Sequence, residues 1–186
     1  LSTAMVQLGM NVGYTIGGES DCLCPHGRLP QSLDAWFVSE TDESDGSLLN
    51  YSPEYGFILN LDRDHLDFYK SDDQIEDVFV RFAHETKKKL FCSADNTWVM
   101  KLRNRDFSDR SITYGFNPLS DYRIIYRQKQ SFAVQRYGRD FGNFNTRLLG
   151  KHNISNTCAV IAFLAELGIS AEEIQRGFGT FFGVGR

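Results

Sequence analysis

Apolar residues recur along the chain first at helical spacing and then in short continuous runs. Near the start, helical spacing predicts a short helix that ends at Gly9. A strand is predicted at 13–16. The runs at 35–38 and 56–61 are typical of strands that are buried on both faces of a parallel sheet.

Two later segments carry the pattern of capped helices. Ser71 and Gln74 have the spacing of a capping box, and apolar residues follow at helical spacing. A second helix is predicted at 152–167, and Ser170 with Glu173 forms another capping box that begins a short last helix. Strands therefore alternate with helices through much of the chain.

Residues 97–149 follow a different pattern, because apolar and aromatic residues alternate with polar ones at 122–126 and 131–134. This pattern predicts a small antiparallel sheet that is appended to the main one. The predicted fold class is α/β, an open and mostly parallel sheet flanked by helices. In such sheets ligands bind beyond the carboxyl ends of the strands.

Composition narrows the class of protein. The chain has 186 residues, 41% of them hydrophobic, and a formal net charge of -4, which argues against a nucleic-acid partner. Neither a membrane span nor a signal peptide is predicted.

Cys22, Cys24 and His26 have the chemistry of a zinc clip, although their spacing is not a standard zinc signature. A reduced loop in a cytoplasmic protein is the alternative.

Two clusters of acidic residues follow the apolar runs, at 40–45 and at 62–67. Parallel strands would bring both clusters to one edge of the sheet, where a cation has to compensate their charge. Mg²⁺ fits such carboxylates, and His65 could complete its ligands, with Mn²⁺ as an alternative. The other interpretation is that Asp42, Glu43 and Asp45 only cap a solvated loop.

His152, Asn153 and Asn156 lie one helical turn apart at the predicted start of a helix. Their side chains could bind an adenine edge through donor and acceptor groups, while ordinary helix capping by Asn153 is the alternative. The phosphate-binding pattern G-x-x-x-x-G-K-[ST] does not occur in the chain. The late glycines are interpreted as turn and linker residues: Gly177, Gly179, Gly183 and Gly185.

Several motifs in this order resemble those of the Mur ligases. Residues 39–47 resemble Ala-Glu-Ala-Asp-Glu-Ser-Asp-x-Ser, and residues 60–67 resemble Asn-Ile-x-x-Asp-His-x-Asp. Residues 16–18 and 150–156 resemble Ile-Gly-Gly and Gly-Arg-His-Asn-x-x-Asn, and residues 182–186 resemble the segment that leads into the family's third domain. The Asp-Glu-Ser-Asp form favours the family member that adds L-alanine to UDP-N-acetylmuramate.

The resemblance implies a P-loop-type central domain over residues 1–186. It implies that the phosphate loop lies just upstream of this chain, that the UDP-sugar domain and the C-terminal domain are absent from it, and that the chain alone is inactive. It also implies a cytoplasmic, ATP-dependent ligase of peptidoglycan precursor synthesis with ATP and Mg²⁺ as cofactors and UDP-N-acetylmuramate and L-alanine as substrates. The residues that match the family's functional positions are Glu40, His65 and Asn60 for catalysis, with Glu40 and His65 also as metal ligands, and His152, Asn153, Asn156 and Arg186 for the nucleotide.

The sequence departs from the family pattern at 19–34, where the usual Asn-Ala-x-x-Gly is missing, and at Thr41, which replaces an alanine. These departures concern the sugar side of the site more than the metal. A ligase that acts on a murein peptide or a folate is one alternative. A nucleotide- or metal-binding module without catalysis is another.

Overall fold

The computed structural model describes residues 1–18, 23, 26–44, 46–63, 69–178 and 181. Its helices and strands follow in chain order: α1 Ser2–Gln7, β1 Val12–Thr15, β2 Gly27–Arg28, β3 Trp36–Ser39, β4 Tyr55–Ile58, α2 Asp72–Glu85, β5 Lys89–Ser93, α3 Thr97–Leu102, β6 Ser111–Gly115, β7 Tyr122–Gln128, β8 Ser131–Arg136, β9 Arg139–Asn145, α4 Lys151–Glu166 and α5 Ala171–Gly177. They form two compact units. The first takes Leu1–Glu40, Ile125–Val134 and the described part of Asp140–Arg186, and the second takes Thr41–Ile124 and Gln135–Arg139.

The first unit contains a three-stranded sheet in the order β2-β1-β3, in which β1 is parallel to β3 and antiparallel to β2. The parallel pairing confirms that β3 is a strand of a parallel pair, as predicted. The prediction that β3 is buried on both faces was wrong. Phe37 is 52% exposed, whereas its neighbours Trp36 and Val38, which point to the other face of the sheet, are partly buried. Trp36 packs edge-on against Phe163 of α4, with ring centroids 5.6 Å apart.

Helix α4 contributes nine buried residues to the core of this unit. Ser170 and Glu173 form the predicted capping box at the start of α5. Gly177 is a correction, because it is the last residue of α5 rather than part of a linker. A side chain there would approach the carbonyl of Ala4 to 3.3 Å, so the glycine lets α5 pack closely against α1.

The second unit has a core between α2, the strands and α3. Its buried residues include Leu48, Ile58, Leu61, Ile75, Val78, Phe79, Phe82, Leu90, Val99, Leu102 and Phe107. The capping box predicted at α2 was wrong, because Gln74 accepts instead from the backbone N–H of Lys70 at 2.7 Å. The predicted strand pattern was wrong at its start, since α3 and a π-helical turn occupy Thr97–Leu102 and Arg103–Phe107.

The larger sheet has six strands in the order β4-β5-β6-β7-β8-β9. The pairs β4–β5, β5–β6 and β6–β7 are parallel, which confirms the mostly parallel α/β sheet. Connections of two residues join β7, β8 and β9, and such short connections join antiparallel neighbours. Among the helices that the structure describes, none has the length and apolar character needed to cross a membrane.

Candidate functional site

Glu40 lies directly beyond the carboxyl end of β3. Its backbone N–H donates to the carbonyl of Thr15 at 3.2 Å, which extends the pairing with β1 by one step. Its side-chain Oε2 accepts from the backbone N–H of Gly17 at 3.0 Å. The carboxylate is exposed, and this bond fixes one of its two oxygens. The arrangement presents a positioned hard oxygen ligand at the edge of the sheet, and it fits a cation such as Mg²⁺.

Asp42, one of the acidic residues after Glu40, stabilises its own loop. Asp42 accepts from both the backbone N–H and the hydroxyl of Ser44, at 3.1 and 2.6 Å. For Asp42 the structure therefore favours the loop-cap interpretation. Asp45 lies outside the described residues.

The second acidic cluster is described only in part. Asp62 accepts from the backbone N–H of Arg63 at 2.8 Å, and Arg63 forms an ion pair with Asp72 in the first turn of α2. His65 lies outside the described residues, so its place among the metal ligands stays a prediction. Within the described ranges, no three histidine, cysteine, aspartate or glutamate side chains come together in a set that could hold a metal ion.

Asn60 is exposed and lies two residues beyond the end of β4. Its Oδ1 accepts from Nδ2 of Asn96, the residue that caps α3, at 2.5 Å. Sequence reasoning missed Asn96. An asparagine directly before a helix is a common capping signal, but the alternating pattern of residues 97–149 predicts strands and not a helix there.

The three predicted nucleotide-binding residues come together at the start of α4. Nδ2 of Asn156 lies 3.1 Å from Nε2 of His152, so the two side chains form a pair on one face of the helix. Nδ2 of Asn153 donates to the carbonyl of Leu149 at 2.8 Å. The alternative that Asn153 caps the helix was wrong, because the N-cap of α4 is Gly150, which has no capping side chain. The bond to Leu149 leaves the amide oxygen of Asn153 as the group that can accept from a ligand.

An open groove of about 460 Å³ adjoins the same helix start, and it lies within the first unit. The residues that line it are Tyr126, Lys129, Gln130, Leu149, Gly150, Lys151 and Ile154. Lys151 and Ile154 are three positions apart and share a face of α4, whereas His152 and Asn156 share another. The groove and the predicted adenine-binding face are therefore different sides of one helix.

The remaining predicted groups are only partly described. Cys22 and Cys24 lie outside the described residues, so the zinc clip is not tested. Nδ1 of His26 bonds the carbonyl of Gly18 at 3.1 Å, and a carbonyl can only accept, so Nδ1 carries the proton. Arg186, Gly179, Gly183 and Gly185 are also outside the described residues.

Comparison with known proteins places these features in a family. The family model of the Mur ligase middle domain matches residues 35–164. A UDP-N-acetylmuramate--L-alanine ligase from Geotalea uraniireducens is 36% identical over 197 residues, and one from Geobacter sulfurreducens is 34% identical over 194 residues. Each match covers 100% of this chain and 41% of the relative, so the chain spans about two fifths of their length.

Solved structures share the fold. The UDP-N-acetylmuramate:L-alanyl-gamma-D-glutamyl-meso-diaminopimelate ligase from Neisseria meningitides matches with a TM-score of 0.86 at 22% identity, over 100% of this chain and 62% of that one. The UDP-N-acetylmuramate-alanine ligase from Thermotoga maritima matches with a TM-score of 0.82 at 24% identity, over 99% and 41%. At these identities the likeness concerns the fold alone. The family model covers more than half of the chain, and it shows that this chain belongs to the Mur ligase family and carries its middle domain.

Proposed function

We propose that this chain is the central domain of a three-domain, ATP-dependent ligase that joins L-alanine to UDP-N-acetylmuramate in the cytoplasm. The observation that carries the proposal is the match over the whole chain to relatives named UDP-N-acetylmuramate--L-alanine ligase, at up to 36% identity. The phosphate loop, the UDP-sugar domain and the C-terminal domain would come from the parts of the protein that this chain does not span.

In the proposed reaction, ATP transfers its terminal phosphoryl group to the lactyl carboxylate of the sugar, and ADP leaves. The amine of L-alanine then attacks the acyl carbon, an amide bond forms, and phosphate carries away the carboxylate oxygen. Because phosphoryl transfer depends mainly on positioning and on charge neutralisation, the residues of this domain are assigned those two tasks.

Glu40 and His65 are the proposed metal ligands. The carboxylate of Glu40, already held by the Gly17 amide, would contribute one fixed oxygen. When bound, Mg²⁺ supplies positive charge beside the phosphate oxygens. Asn60 is assigned to the acceptor substrate beside them.

At the start of α4, His152, Asn153 and Asn156 are proposed to bind adenine. Two of their hydrogen bonds are made within the protein, which holds the side chains in place before a nucleotide arrives. Arg186 is assigned to the hinge side of the nucleotide, on the resemblance of residues 182–186 alone.

The test uses the intact ligase and follows ADP release with ATP, Mg²⁺ and L-alanine. We expect release that depends on UDP-N-acetylmuramate, and we expect Glu40→Gln to abolish it. Glu172→Gln is the matched control, because Glu172 is an exposed carboxylate in the first turn of α5 and should leave the rate unchanged.

Other outcomes of the same assay decide between the alternatives. Release with a preformed muropeptide but not with UDP-N-acetylmuramate would assign the protein to the murein-peptide ligases. No release with either acceptor would favour a binding module without catalysis. An active Glu40→Gln enzyme would remove Glu40 from the metal site.

A further inference from the structure

Asn96 joins the end of β4 to the start of α3 through both ends of its side-chain amide. Its Oδ1 accepts from the backbone N–H of Val99 at 2.9 Å and caps the helix. Its Nδ2 donates to the carbonyl of Leu61 at 2.9 Å and to Oδ1 of Asn60 at 2.5 Å. All four residues belong to the second unit, and Asn96 is half-buried whereas Asn60 is exposed.

The chemistry of these partners fixes which end of the Asn96 amide is which. A backbone N–H can only donate, so the atom that faces Val99 has to be the oxygen. A carbonyl can only accept, so the atom that faces Leu61 has to be the nitrogen. The two backbone groups therefore agree, and the orientation of Asn96 does not depend on distinguishing N from O by position alone.

The orientation of Asn60 follows from that of Asn96. Because Nδ2 of Asn96 carries only donors, the Asn60 atom opposite it has to be the acceptor Oδ1. The NH₂ group of Asn60 is then the end of the amide that points away from Asn96. Asn60 thus offers donors to a ligand, and donors suit an anionic oxygen and not a metal ion.

Helix α3, which Asn96 caps, is held in the second unit by several further hydrogen bonds. Glu76 of α2 accepts from Trp98 Nε1 at 2.7 Å and from Lys101 Nζ at 2.9 Å, both on α3. It also accepts from Arg105 Nη1 at 2.9 Å in the π-helical turn. These bonds restrict movement of α3, and they thereby restrict the position of Asn96 against Asn60.

We propose that Asn96 is a positioning residue, which holds the Asn60 amide with its NH₂ group outward so that Asn60 donates to a carboxylate or phosphoryl oxygen of the acceptor. The inference rests on the proposed function for the identity of that ligand. The orientation itself rests on the contacts of Val99, Leu61 and Asn60 alone.

The decisive variant is Asn96→Asp. Aspartate caps a helix as well as asparagine does, so the bond from Val99 is kept. The new oxygen opposite Asn60 can only accept, which turns the Asn60 amide around and places its oxygen outward. In the intact ligase we expect kcat/KM for the acceptor to fall about 10- to 100-fold, as for the loss of one hydrogen bond to a charged group, while the KM for ATP stays unchanged.

Asn117→Asp is the matched control. Oδ1 of Asn117 accepts from the backbone N–H of Leu119 at 3.0 Å, and its Nδ2 donates to the carbonyl of Ala94 at 3.3 Å. It thus has the same forked bonding to the backbone in the same unit without a bond to Asn60. A loss of acceptor kcat/KM in this control equal to that in Asn96→Asp would overturn the proposal.

A double-mutant cycle separates positioning from a general structural effect. If Asn96 acts through Asn60, Asn96→Asp causes no further loss once Asn60→Ala has been made. Full additivity of the two changes would contradict the proposal.

A measurement on the intact ligase tests the orientation without any activity. In the NMR spectrum we expect the side-chain NH₂ protons of Asn96 to exchange slowly with water and those of Asn60 to exchange rapidly. The reverse would overturn the proposal, even in an active ligase. If the intact wild type shows no acceptor-dependent ADP release but the exchange pattern is as expected, the proposed function fails and the orientation stands.

Discussion

Replacement of Glu76 by glutamine should destabilise the second unit in a pH-dependent way. The Glu76 side chain is only 8% exposed, and three side chains donate to it: Trp98, Lys101 and Arg105. Glutamine keeps the size and one acceptor oxygen, so Trp98 retains a partner. The charge that attracts Lys101 and Arg105 is lost.

The size of the effect follows from the pKa of Glu76. The hydrogen bond from Lys101, together with those from Trp98 and Arg105, lowers this pKa from 4.5 to about 2 despite the opposing effect of burial. At about 1.4 kcal/mol per pKa unit, this shift sets an upper limit of about 3 kcal/mol. The Lys101 and Arg105 side chains are 64% and 51% exposed, so water screens the attraction, and we expect about 1 to 2 kcal/mol.

The sign of the pH dependence is set by the lowered pKa. The stabilisation is fully present above the unfolded value of 4.5, and it disappears as the pH falls toward the folded value of about 2. Urea unfolding of wild type and Glu76→Gln should therefore differ at neutral pH and coincide near pH 2. Asp77→Asn is the control, since the ion pair of Asp77 with Arg81, at 3.9 Å, is exposed to water, and its loss should change stability by less than about 0.5 kcal/mol. An equal loss at both pH values would refute an electrostatic role for Glu76.

Three further predictions concern other parts of the chain. Gly115→Ala should cost several kcal/mol in urea unfolding, because φ is +144° and a methyl group would lie 2.5 Å from Oδ2 of Asp95. Gly138→Ala should cost only about 1 kcal/mol, since φ is +77° but no atom lies within 4 Å, and equal losses would exclude the clash. Burial raises the pKa of the Cys92 thiol to about 12, so in a chain whose other cysteines are alanine a thiol reagent should label it only after unfolding. In the intact ligase, Glu40→Gln should leave the free energy of unfolding in urea within about 0.5 kcal/mol of wild type while ADP release is lost, and a large loss of stability would show a structural role instead.

Elements with a long periodic pattern could be predicted from the sequence, and α2 and α4 are the examples. The burial of β3 could not, because it depends on what packs against each face of its sheet and not on its own residues. Helix α3 was not predicted either, although Asn96 is a local capping signal for it. Its attachment depends on Glu76, which is more than twenty positions earlier in the chain.

In the candidate site, too, the position of a residue could be predicted from the sequence, but the orientation of a side chain could not. The position of Glu40 directly after an apolar strand could be predicted, and the structure places it there, whereas its role as a metal ligand was implied by the family resemblance and stays a prediction. The orientation of Asn60 could not be identified, since it is set by Asn96, which is 36 positions away. Local patterns locate a residue at the end of a strand, but the polarity of its amide depends on a partner from another element.

The measurement that tests the central claim most directly follows an isotope through one turnover of the intact ligase. UDP-N-acetylmuramate with a heavy oxygen isotope in both lactyl carboxylate positions is incubated with ATP, Mg²⁺ and L-alanine, and the products are weighed by mass spectrometry. An amide-forming ligase that activates the carboxylate with ATP leaves one heavy atom in the new amide and transfers the other to inorganic phosphate. Unlabelled phosphate, or recovery of the sugar with both labels and no alanyl product, would contradict the proposed reaction.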